Sequence, residues 1–307
     1  MGSLKNRDII SIKDLEPDEI LEVIHETKNM KKNIKGNTKL LEGYILATAF
    51  FEPSTRTKLS FQSAMCRLGG SVIDLPPEKA SSRAKGENLA DTIRMLQCYS
   101  DIIVIRHKIE GTAKFASEIA DIPIINGGDG TKDHPTQTLI DLYTIYENFG
   151  KLTNLTVGVL GDLKYGRAAR SFILGISKFS PRELYLISPE QLKVRKDVKE
   201  FLERENVRYE ELRDFSMVLP RLDILYVTRI QRERFPDPLE YERVRGSYRI
   251  VKDSLKEAKD NLIILHPLPR VDEINFSVDK TKYARYFEQA ANGVPVRMAL
   301  LKMILVG

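Results

Sequence analysis

The chain has 307 residues, enough for two domains, and its 42% hydrophobic content supports folded cores and excludes a disordered protein. Its net charge of +5 fits a nucleic-acid partner or an anionic substrate, but basic and acidic residues are interspersed, so we expect no nucleic-acid binding. No apolar run approaches the ~20 residues of a membrane span and no secretory pattern opens the chain, so we expect a cytoplasmic protein without membrane contact.

The first half of the chain predicts an α/β unit. A helix begins at Glu16 and Pro17, where proline and acidic residues precede apolar residues at helical spacing. Four apolar strands follow, over 44–50, 71–75, 101–105 and 123–126. They alternate with helices that begin near Thr55, Asn88, Gly111 and Pro135. Short apolar runs between helices are typical of a parallel sheet that is covered on both faces.

The second half repeats this alternation after a long helix over 135–149. Its strands are predicted over 155–160, 183–187, 207–209, 223–227 and 261–265. The pattern predicts one domain over 1–150 and a second over 151–293, with the C-terminal segment 294–307, helical to residue 306, packing back on the first. We therefore expect an α/β fold of two doubly wound parallel-sheet domains, with the active site in the cleft between them.

The two cysteines give no sign of a metal site. Cys66 and Cys98 lie in helical segments and lack CxxC spacing. We expect both to be buried free thiols in a reducing cytoplasm.

Six polar segments follow predicted strands, at the edge where ligands of parallel sheets bind. They are PSTRT (53–57), RH (106–107), GDGTKDHPTQ (128–137), GDLKYGR (161–167), TRIQRERF (228–235) and HPLPR (266–270). Their common location favours a ligand site over scattered surface loops.

The first of these segments predicts a phosphate site. It joins an apolar strand to a helix, whose first backbone N–H groups are unpaired and carry partial positive charge. Ser54, Thr55 and Thr57 add hydroxyl donors, and the guanidinium of Arg56 matches phosphate geometry. An ordinary capped helix start is the alternative interpretation.

Together with SSRAKGENLADT (81–92) and HPLPRVDEI (266–274), these segments resemble the catalytic chains of aspartate carbamoyltransferases (aspartate transcarbamylases), within the aspartate/ornithine carbamoyltransferase family. The resemblance covers nearly the whole chain, with the motifs in the same order. It implies a transferase of pyrimidine biosynthesis that moves the carbamoyl group of carbamoyl phosphate to the amino group of L-aspartate. The products would be N-carbamoyl-L-aspartate and phosphate, and no cofactor or metal is expected.

The resemblance assigns the phosphate to the four residues of the cradle, Ser54, Thr55, Arg56 and Thr57. It directs Thr57, Arg106 and His134 at the carbonyl oxygen, which they would polarise as an oxyanion hole does. A structural histidine before a helix is the alternative for His134. His107 and His266 are interpreted as structural.

Further residues would orient the carbamoyl group and bind aspartate. By the same resemblance, Gln137 and the backbone carbonyls of Pro267 and Leu268 accept hydrogen bonds from the carbamoyl NH₂. The aspartate carboxylates are assigned to groups that follow strands of the second unit: Arg167, Arg229, Gln231 and the Leu268 backbone. Each arginine alone is more often a surface residue, but their shared edge favours binding.

Segment 76–87 has poor periodicity and is predicted to be a mobile loop. In the family, the residues that match Ser81 and Lys85 reach the active site of the neighbouring subunit and contact phosphate and aspartate. We therefore expect a homotrimer with shared active sites. Some members of the family also pair with a zinc-containing regulatory chain, in a dodecamer of catalytic and regulatory chains, and the sequence leaves such a partner and its allosteric control open.

Domain closure is the remaining implication. The residue matched by Glu52 links the two domains in the family, here through Arg167 and Arg234. One departure from the family pattern is Ala168-Ala169-Arg170, for which we expect altered helix packing and a slightly altered carboxylate pocket.

Two other functions compete with this interpretation. Ornithine carbamoyltransferases share the cradle, but they show His-Cys-Leu-Pro where this chain has His266-Pro267-Leu268-Pro269. A cationic substrate would also be repelled by Arg167 and Arg229. The second alternative is a catalytically idle scaffold subunit, which we would expect to have lost a site residue.

Overall fold

The computed structural model describes residues 4–36, 38–232, 235 and 237–307. These residues form two compact units. One comprises the described residues within 1–143 and 292–307, and the other those within 144–291. The division falls inside the helix Pro135–Phe149, whereas the sequence suggested a boundary after that helix. Within the described residues, no helix is both long and apolar enough to span a membrane.

The first unit is built on a four-stranded sheet. Its strands are β1 (Ile45–Phe50), β2 (Ser71–Asp74), β3 (Ile102–His107) and β4 (Ile124–Asp129). They are ordered β2-β1-β3-β4, and every pairing between them in the described chain is parallel. The helices are α1 (Pro17–Lys32), α2 (Thr55–Arg67), α3 (Leu89–Gln97), α4 (Thr112–Ile119) and α5 (Pro135–Phe149).

This sheet is covered on both faces along β1, β3 and β4, where consecutive residues are buried without alternation. All six residues of β4 are buried, as are the four central residues of β1. On one face, Ala47 and Ile103 pack with Ile93 of α3 and Ala113 of α4. Burying such side chains stabilises the sheet by roughly 25 cal/mol per Å² of apolar surface.

The second unit repeats the arrangement with five strands. They are β5 (Thr156–Leu160), β6 (Glu183–Ile187), β7 (Tyr209–Leu212), β8 (Ile224–Val227) and β9 (Ile263–Leu265), ordered β7-β6-β5-β8-β9 and again parallel. Its helices are α6 (Arg167–Ser177), α7 (Lys196–Arg204) and α8 (Pro238–Val244). Phe172 of α6 stacks on Tyr226 of β8 with ring centroids 4.1 Å apart, which fixes the helix against the sheet.

The last helix, α9 (Tyr286–Leu305), begins well before the predicted residue 294. A helix that began at residue 294 would have Pro295 in its first turn, where proline is common, but Pro295 lies inside the helix. The C-terminal part of α9 packs within the first unit, where Lys302 Nζ lies 2.8 Å from Glu26 Oε1 and Lys31 Nζ lies 2.9 Å from Asn292 Oδ1.

Both sheets have a switch point, where the strand order reverses. In the first unit it lies between β1 and β3, and in the second between β5 and β8. Ligands of doubly wound sheets bind outside the carboxyl ends of the strands at such points. The predicted fold class, α/β with two doubly wound parallel sheets, is confirmed.

Two further local predictions were wrong. The strand predicted over 207–209 lies at Tyr209–Leu212, because Asn206 adopts φ +54° and the Val207 N–H closes the end of α7 on Leu202 O at 2.9 Å. Segment 76–87, predicted to be a mobile loop, contains two 3₁₀ turns, Glu78–Ala80 and Ser82–Lys85, and its mobility stays a prediction.

The other wrong prediction concerns the cysteines, both of which lie in the described chain. Cys66 and Cys98 are free but exposed. The buried face of α2 is formed by residues such as Ala64 and Met65, and Cys66 lies one position further around the helix. Cys98 follows α3, and its thiol donates to the Arg94 carbonyl at 3.2 Å.

Candidate active site

The cradle lies where β1 turns into α2. Ser54 precedes the helix with an extended backbone, and in the described chain its side chain makes no capping hydrogen bond. The ordinary-cap interpretation required the Ser54 hydroxyl to cap the helix, and the hydroxyl does not do so. Thr55 and Arg56 are exposed and Thr57 is buried, so the first turn of α2 presents backbone N–H groups beside a guanidinium and hydroxyl groups.

Arg106 lies beside this turn, at the end of β3. It pairs with Phe50 across the two strands, and its carbonyl accepts from the Phe51 N–H at 2.8 Å. Its Nε lies 2.9 Å from Glu52 Oε1, with both side chains only 15% exposed, and its Nη1 donates to the Gly127 carbonyl at 3.1 Å. These contacts hold the guanidinium at the switch point of the first sheet.

Glu52 was predicted to pair with Arg167 and Arg234 when the domains close. The structure shows a pairing inside the first unit, with Arg106. Arg234 lies outside the described residues, and the closure pairing stays a prediction.

His134 and Gln137 follow β4, the next strand of the same sheet. His134 is buried directly before α5, and its carbonyl accepts the Gln137 N–H at 3.1 Å. The Gln137 side-chain Nε2 donates to Asp141 Oδ1 at 2.8 Å. Because a carboxylate only accepts, the amide nitrogen faces Asp141 and the amide oxygen is left as an acceptor on the other side.

The loop of Ser81 and Lys85 is anchored next to the cradle. Ser81 Oγ donates to the Glu78 carbonyl at 3.0 Å and accepts from Arg83 Nε at 3.2 Å. The Arg83 guanidinium lies 4.7 Å from the centroid of the Phe51 ring, a cation–π contact. Lys85 is exposed at the end of the second 3₁₀ turn. That Ser81 and Lys85 act in a neighbouring subunit stays a prediction.

In the second unit, Arg167 and Arg229 follow the two strands that flank its switch point. Arg167 is the first residue of α6 and is buried, whereas Arg229 is half-buried after β8. The two loops touch at Gly161, whose φ is +126° and whose added Cβ would lie 2.2 Å from the Thr228 carbonyl oxygen. Only glycine permits this approach.

Asp162, which the sequence interpretation did not single out, joins these two loops. Its Oδ1 accepts from the backbone N–H groups of Tyr165 at 2.8 Å and Lys164 at 3.2 Å, and the carboxylate also accepts from the Gln231 backbone. Burial raises the pKa of Asp162 to about 6, although these hydrogen bonds oppose the increase. A Gly-Asp pair directly after a buried strand was the available signal.

A cavity of about 260 Å³ lies beside Arg229. Its lining includes three arginines, two tyrosines and two acids, namely Arg229, Arg232, Arg245, Tyr241, Tyr248, Asp272 and Glu273. Guanidinium groups in a concave, partly buried setting suit a carboxylate ligand.

Pro267 and Leu268 follow β9, the neighbour of β8. Leu268 has φ +55° and precedes a cis peptide bond to Pro269. His266 and Glu273 are both buried beside this turn, with His266 Nε2 at 2.7 Å from Glu273 Oε1. Burial raises the pKa of Glu273, but the interactions with His266 and the hydrogen bonds from backbone N–H groups together outweigh burial, so the net shift is a lowering.

The departure at Ala168-Ala169-Arg170 is accommodated by helix packing. Arg170 is buried, and its Nη2 lies 2.8 Å from Asp197 Oδ2 in the first turn of α7. The arginine therefore joins two neighbouring helices of the second unit.

The structure thus places the predicted residues at the carboxyl ends of three adjacent strands in each unit. In the first unit, the cradle follows β1, Arg106 lies at the end of β3, and the His134–Gln137 segment follows β4. In the second, Arg167, the Arg229–Gln231 segment and the Pro267–Leu268 segment follow β5, β8 and β9.

Two family models match the chain. The model of the aspartate/ornithine carbamoyltransferase carbamoyl-P binding domain matches residues 7–147, and that of the Asp/Orn binding domain matches residues 153–304. Together they cover both units.

Relatives match over nearly their full length. The aspartate carbamoyltransferase catalytic subunit of Thermofilum pendens is 58% identical over 301 residues, which is 98% of this chain and 96% of the relative. That of Thermococcus kodakarensis is 54% identical over 303 residues, covering 98% and 97%.

Solved structures agree. The catalytic subunit of M. jannaschii aspartate transcarbamoylase superposes with a TM-score of 0.88 at 50% identity and covers 96% of this chain and 97% of its own. The Trypanosoma cruzi enzyme in complex with carbamoyl phosphate superposes with a TM-score of 0.95 at 36% identity, covering 99% and 98%. The chain belongs to the aspartate/ornithine carbamoyltransferase family.

Proposed function

We propose that this protein transfers the carbamoyl group of carbamoyl phosphate to the amino group of L-aspartate, giving N-carbamoyl-L-aspartate and phosphate. This is a step of pyrimidine biosynthesis. Relatives between 51% and 58% identical carry the name aspartate carbamoyltransferase catalytic subunit. The T. cruzi enzyme binds carbamoyl phosphate and aspartate together in one solved complex.

The observation that carries the proposal is the placement of cations at both switch points. Arg56 and Arg106 flank the one in the first unit, and Arg167 and Arg229 flank the one in the second. Carbamoyl phosphate is a dianion and aspartate carries two carboxylates, so both substrates need fixed positive groups. The reaction then needs both units.

In the first half of the reaction, the carbamoyl carbon must become electrophilic. We assign the phosphate to Ser54, Thr55, Arg56 and Thr57. Thr57, Arg106 and His134 direct donors at the carbonyl oxygen, where negative charge develops as the amine attacks. The amide oxygen of Gln137 and the carbonyls of Pro267 and Leu268 accept from the carbamoyl NH₂. The departing phosphate takes the proton that the amine loses, so no further base is required.

The second substrate, aspartate, is recognised through its two carboxylates. Arg167, Arg229 and Gln231 bind them, with the Leu268 backbone assisting. The terminal ammonium group of ornithine would be repelled by Arg167 and Arg229. Ornithine transfer is therefore not favoured, and neither is an idle scaffold role, because the relatives are named catalytic subunits.

The proposed assembly is a homotrimer in which Ser81 and Lys85 complete the site of a neighbouring subunit. Glu52 with Arg167 and Arg234 would hold the closed state and exclude water. The relatives' name, catalytic subunit, fits a chain that works beside a separate regulatory one, and we include a zinc-containing regulatory chain among the proposed partners. Exposed free thiols fit the reducing cytoplasm.

Phosphate release tests the reaction. Purified protein with carbamoyl phosphate should release phosphate with L-aspartate and not with L-ornithine. Arg229→Ala should raise KM for aspartate by about tenfold or more, because a charged hydrogen-bond partner is lost. Arg204→Ala, at a 69% exposed side chain on α7, is the control and should leave KM unchanged. Turnover with ornithine, or none with either amine, would overturn the proposal.

A further inference from the structure

We propose that His266 is a positioning residue that directs the Pro267 carbonyl toward the carbamoyl NH₂ of the substrate. The inference rests on the proposed function and gives a role to a histidine that the sequence interpretation treated as structural.

The ring of His266 is fixed at both nitrogens. Its Nδ1 accepts from the Leu268 N–H at 2.8 Å, so Nδ1 carries no proton. Its Nε2 lies 2.7 Å from Glu273 Oε1 and is therefore the donor of that bond. These two contacts select a single neutral tautomer.

Glu273 in turn closes the segment on itself. Its Oε2 accepts from the backbone N–H groups of Val271 and Asp272, each at 3.1 Å. The His266 N–H donates to Gln289 Oε1 at 2.8 Å. His266 is 1% exposed and Glu273 is 6% exposed, so the pair is a buried brace for segment 266–273.

The peptide plane between Pro267 and Leu268 links these contacts to the orientation of the Pro267 carbonyl. The bond between Pro267 and Leu268 is trans, since the cis bond in the described chain lies between Leu268 and Pro269. In a trans peptide, the carbonyl and the N–H point in opposite directions within one plane. A hydrogen bond that aims the Leu268 N–H at His266 therefore aims the Pro267 carbonyl away from it.

The backbone of Leu268 needs such a constraint. Its φ of +55° lies in the left-handed region, which is unfavourable for a residue with a Cβ. A non-glycine residue holds this conformation only where its surroundings enforce it. The bond to His266 Nδ1 is the contact that acts directly on this peptide plane.

Two substitutions separate the functions of the two ring nitrogens. In His266→Asn, the amide oxygen takes the place of Nδ1 and can still accept the Leu268 N–H, while the contact to Glu273 is lost. In His266→Gln, the amide nitrogen takes the place of Nε2 and can still donate to Glu273, while the Leu268 N–H loses its acceptor.

Binding of phosphonoacetamide, a stable analogue with CH₂ in place of the bridging oxygen, is compared with binding of inorganic phosphate by calorimetry. His266→Gln should raise the Kd of phosphonoacetamide by about three- to tenfold, as the loss of one hydrogen bond implies. Its Kd for phosphate, which has no NH₂, should stay within about twofold of wild type. His266→Asn should resemble wild type for both ligands.

Equal losses for both ligands, or equal losses in both variants, would overturn the inference. If the variants fail to fold, ¹⁵N NMR of the wild-type histidines decides, because a proton on Nδ1 of His266 contradicts the proposed bond. A wild-type protein that releases no phosphate with aspartate would instead contradict the proposed function. If wild type releases phosphate with aspartate but His266→Gln binds phosphonoacetamide as tightly as wild type does, this inference is wrong and the proposed function stands.

Discussion

At the scale of single residues, the carboxyl group of Asp162 titrates in an unusual range. It is fully buried between two loops of the second unit, and burial raises its pKa from 3.8 to about 6. Between those values the folded protein binds more protons than the unfolded chain does. The free energy of unfolding therefore falls as pH rises from about 4 to about 6, and this group contributes on the order of 3 kcal/mol to the change.

Asp162→Asn should remove the contribution of this carboxyl group to the pH dependence of the free energy of unfolding. The amide oxygen can still accept from Tyr165, but the side chain no longer ionises. The melting temperature of the variant relative to wild type should rise between pH 4 and pH 6.5 and then level off. Asp260→Asn is the control. Lys282 lowers the pKa of exposed Asp260, so the melting-temperature difference between this variant and wild type should stay flat over this pH range. A flat profile for Asp162→Asn would contradict the assignment.

Single residues also show where sequence interpretation stops. The arginines and the cradle were found because their residue types and their positions after strands are visible in the chain. The bond between Asp162 and Gln231 was not found, because their loops meet only when β5 and β8 become neighbours. The exposure of Cys66 was missed because one helical position decides burial, and the local pattern did not resolve it.

At the scale of elements, a buried arginine connects α9 to two helices of the first unit. Arg297 Nη1 donates to Ser60 Oγ of α2 at 2.5 Å, and its guanidinium lies 4.7 Å from the centroid of the Phe61 ring. Burial lowers the pKa of Arg297, and the charge of Asp141 on α5 opposes this. Asp141 is the residue that orients the Gln137 amide, so the fold and the site share one charged cluster.

Removing either charge should be costly. Arg297→Met takes away the positive charge that faces buried Asp141 and should destabilise the protein by about 3–5 kcal/mol. The double variant Arg297→Met/Asp141→Leu should cost clearly less than the sum of the single variants, measured by denaturant unfolding. Arg94→Met, at a 62% exposed side chain, should cost about 0.5 kcal/mol or less. Additive costs would show that the two buried charges do not interact.

The elements themselves were largely predictable from the sequence. Apolar runs in the sequence predicted the strands and helices, and α5 has the predicted bounds. The start of α9 was wrong because local rules treat Pro295 as a helix start, whereas the tertiary packing of a long helix tolerates it. The sheet order with its two switch points follows from long-range pairing that no local pattern encodes.

At the scale of the whole molecule, the proposed trimer makes a sharp prediction about mixtures. If Lys85 serves the site of a neighbouring subunit, then Lys85→Ala damages the neighbour's site, while Arg56→Ala damages the subunit's own site. In a trimer assembled at random from equal amounts of the two, a working site needs an intact cradle on one subunit and an intact loop on the next. About one quarter of the sites then meet both conditions, since each has a chance of one half.

Each variant alone should therefore be nearly inactive, whereas refolding them together should restore about a quarter of wild-type turnover. Arg56→Ala mixed with Arg106→Ala is the matched control. Both residues belong to the same switch point of one subunit, so that mixture should form no complete site. Recovery of turnover in the control would mean that a neighbouring subunit can supply more of the site than the loop. No recovery in the first mixture would mean that Lys85 acts in the site of its own subunit. Because the cradle is held by β1 and β3, whereas the loop is built of 3₁₀ turns outside the sheet, the loop can enter the site of a neighbouring subunit without disturbing a sheet.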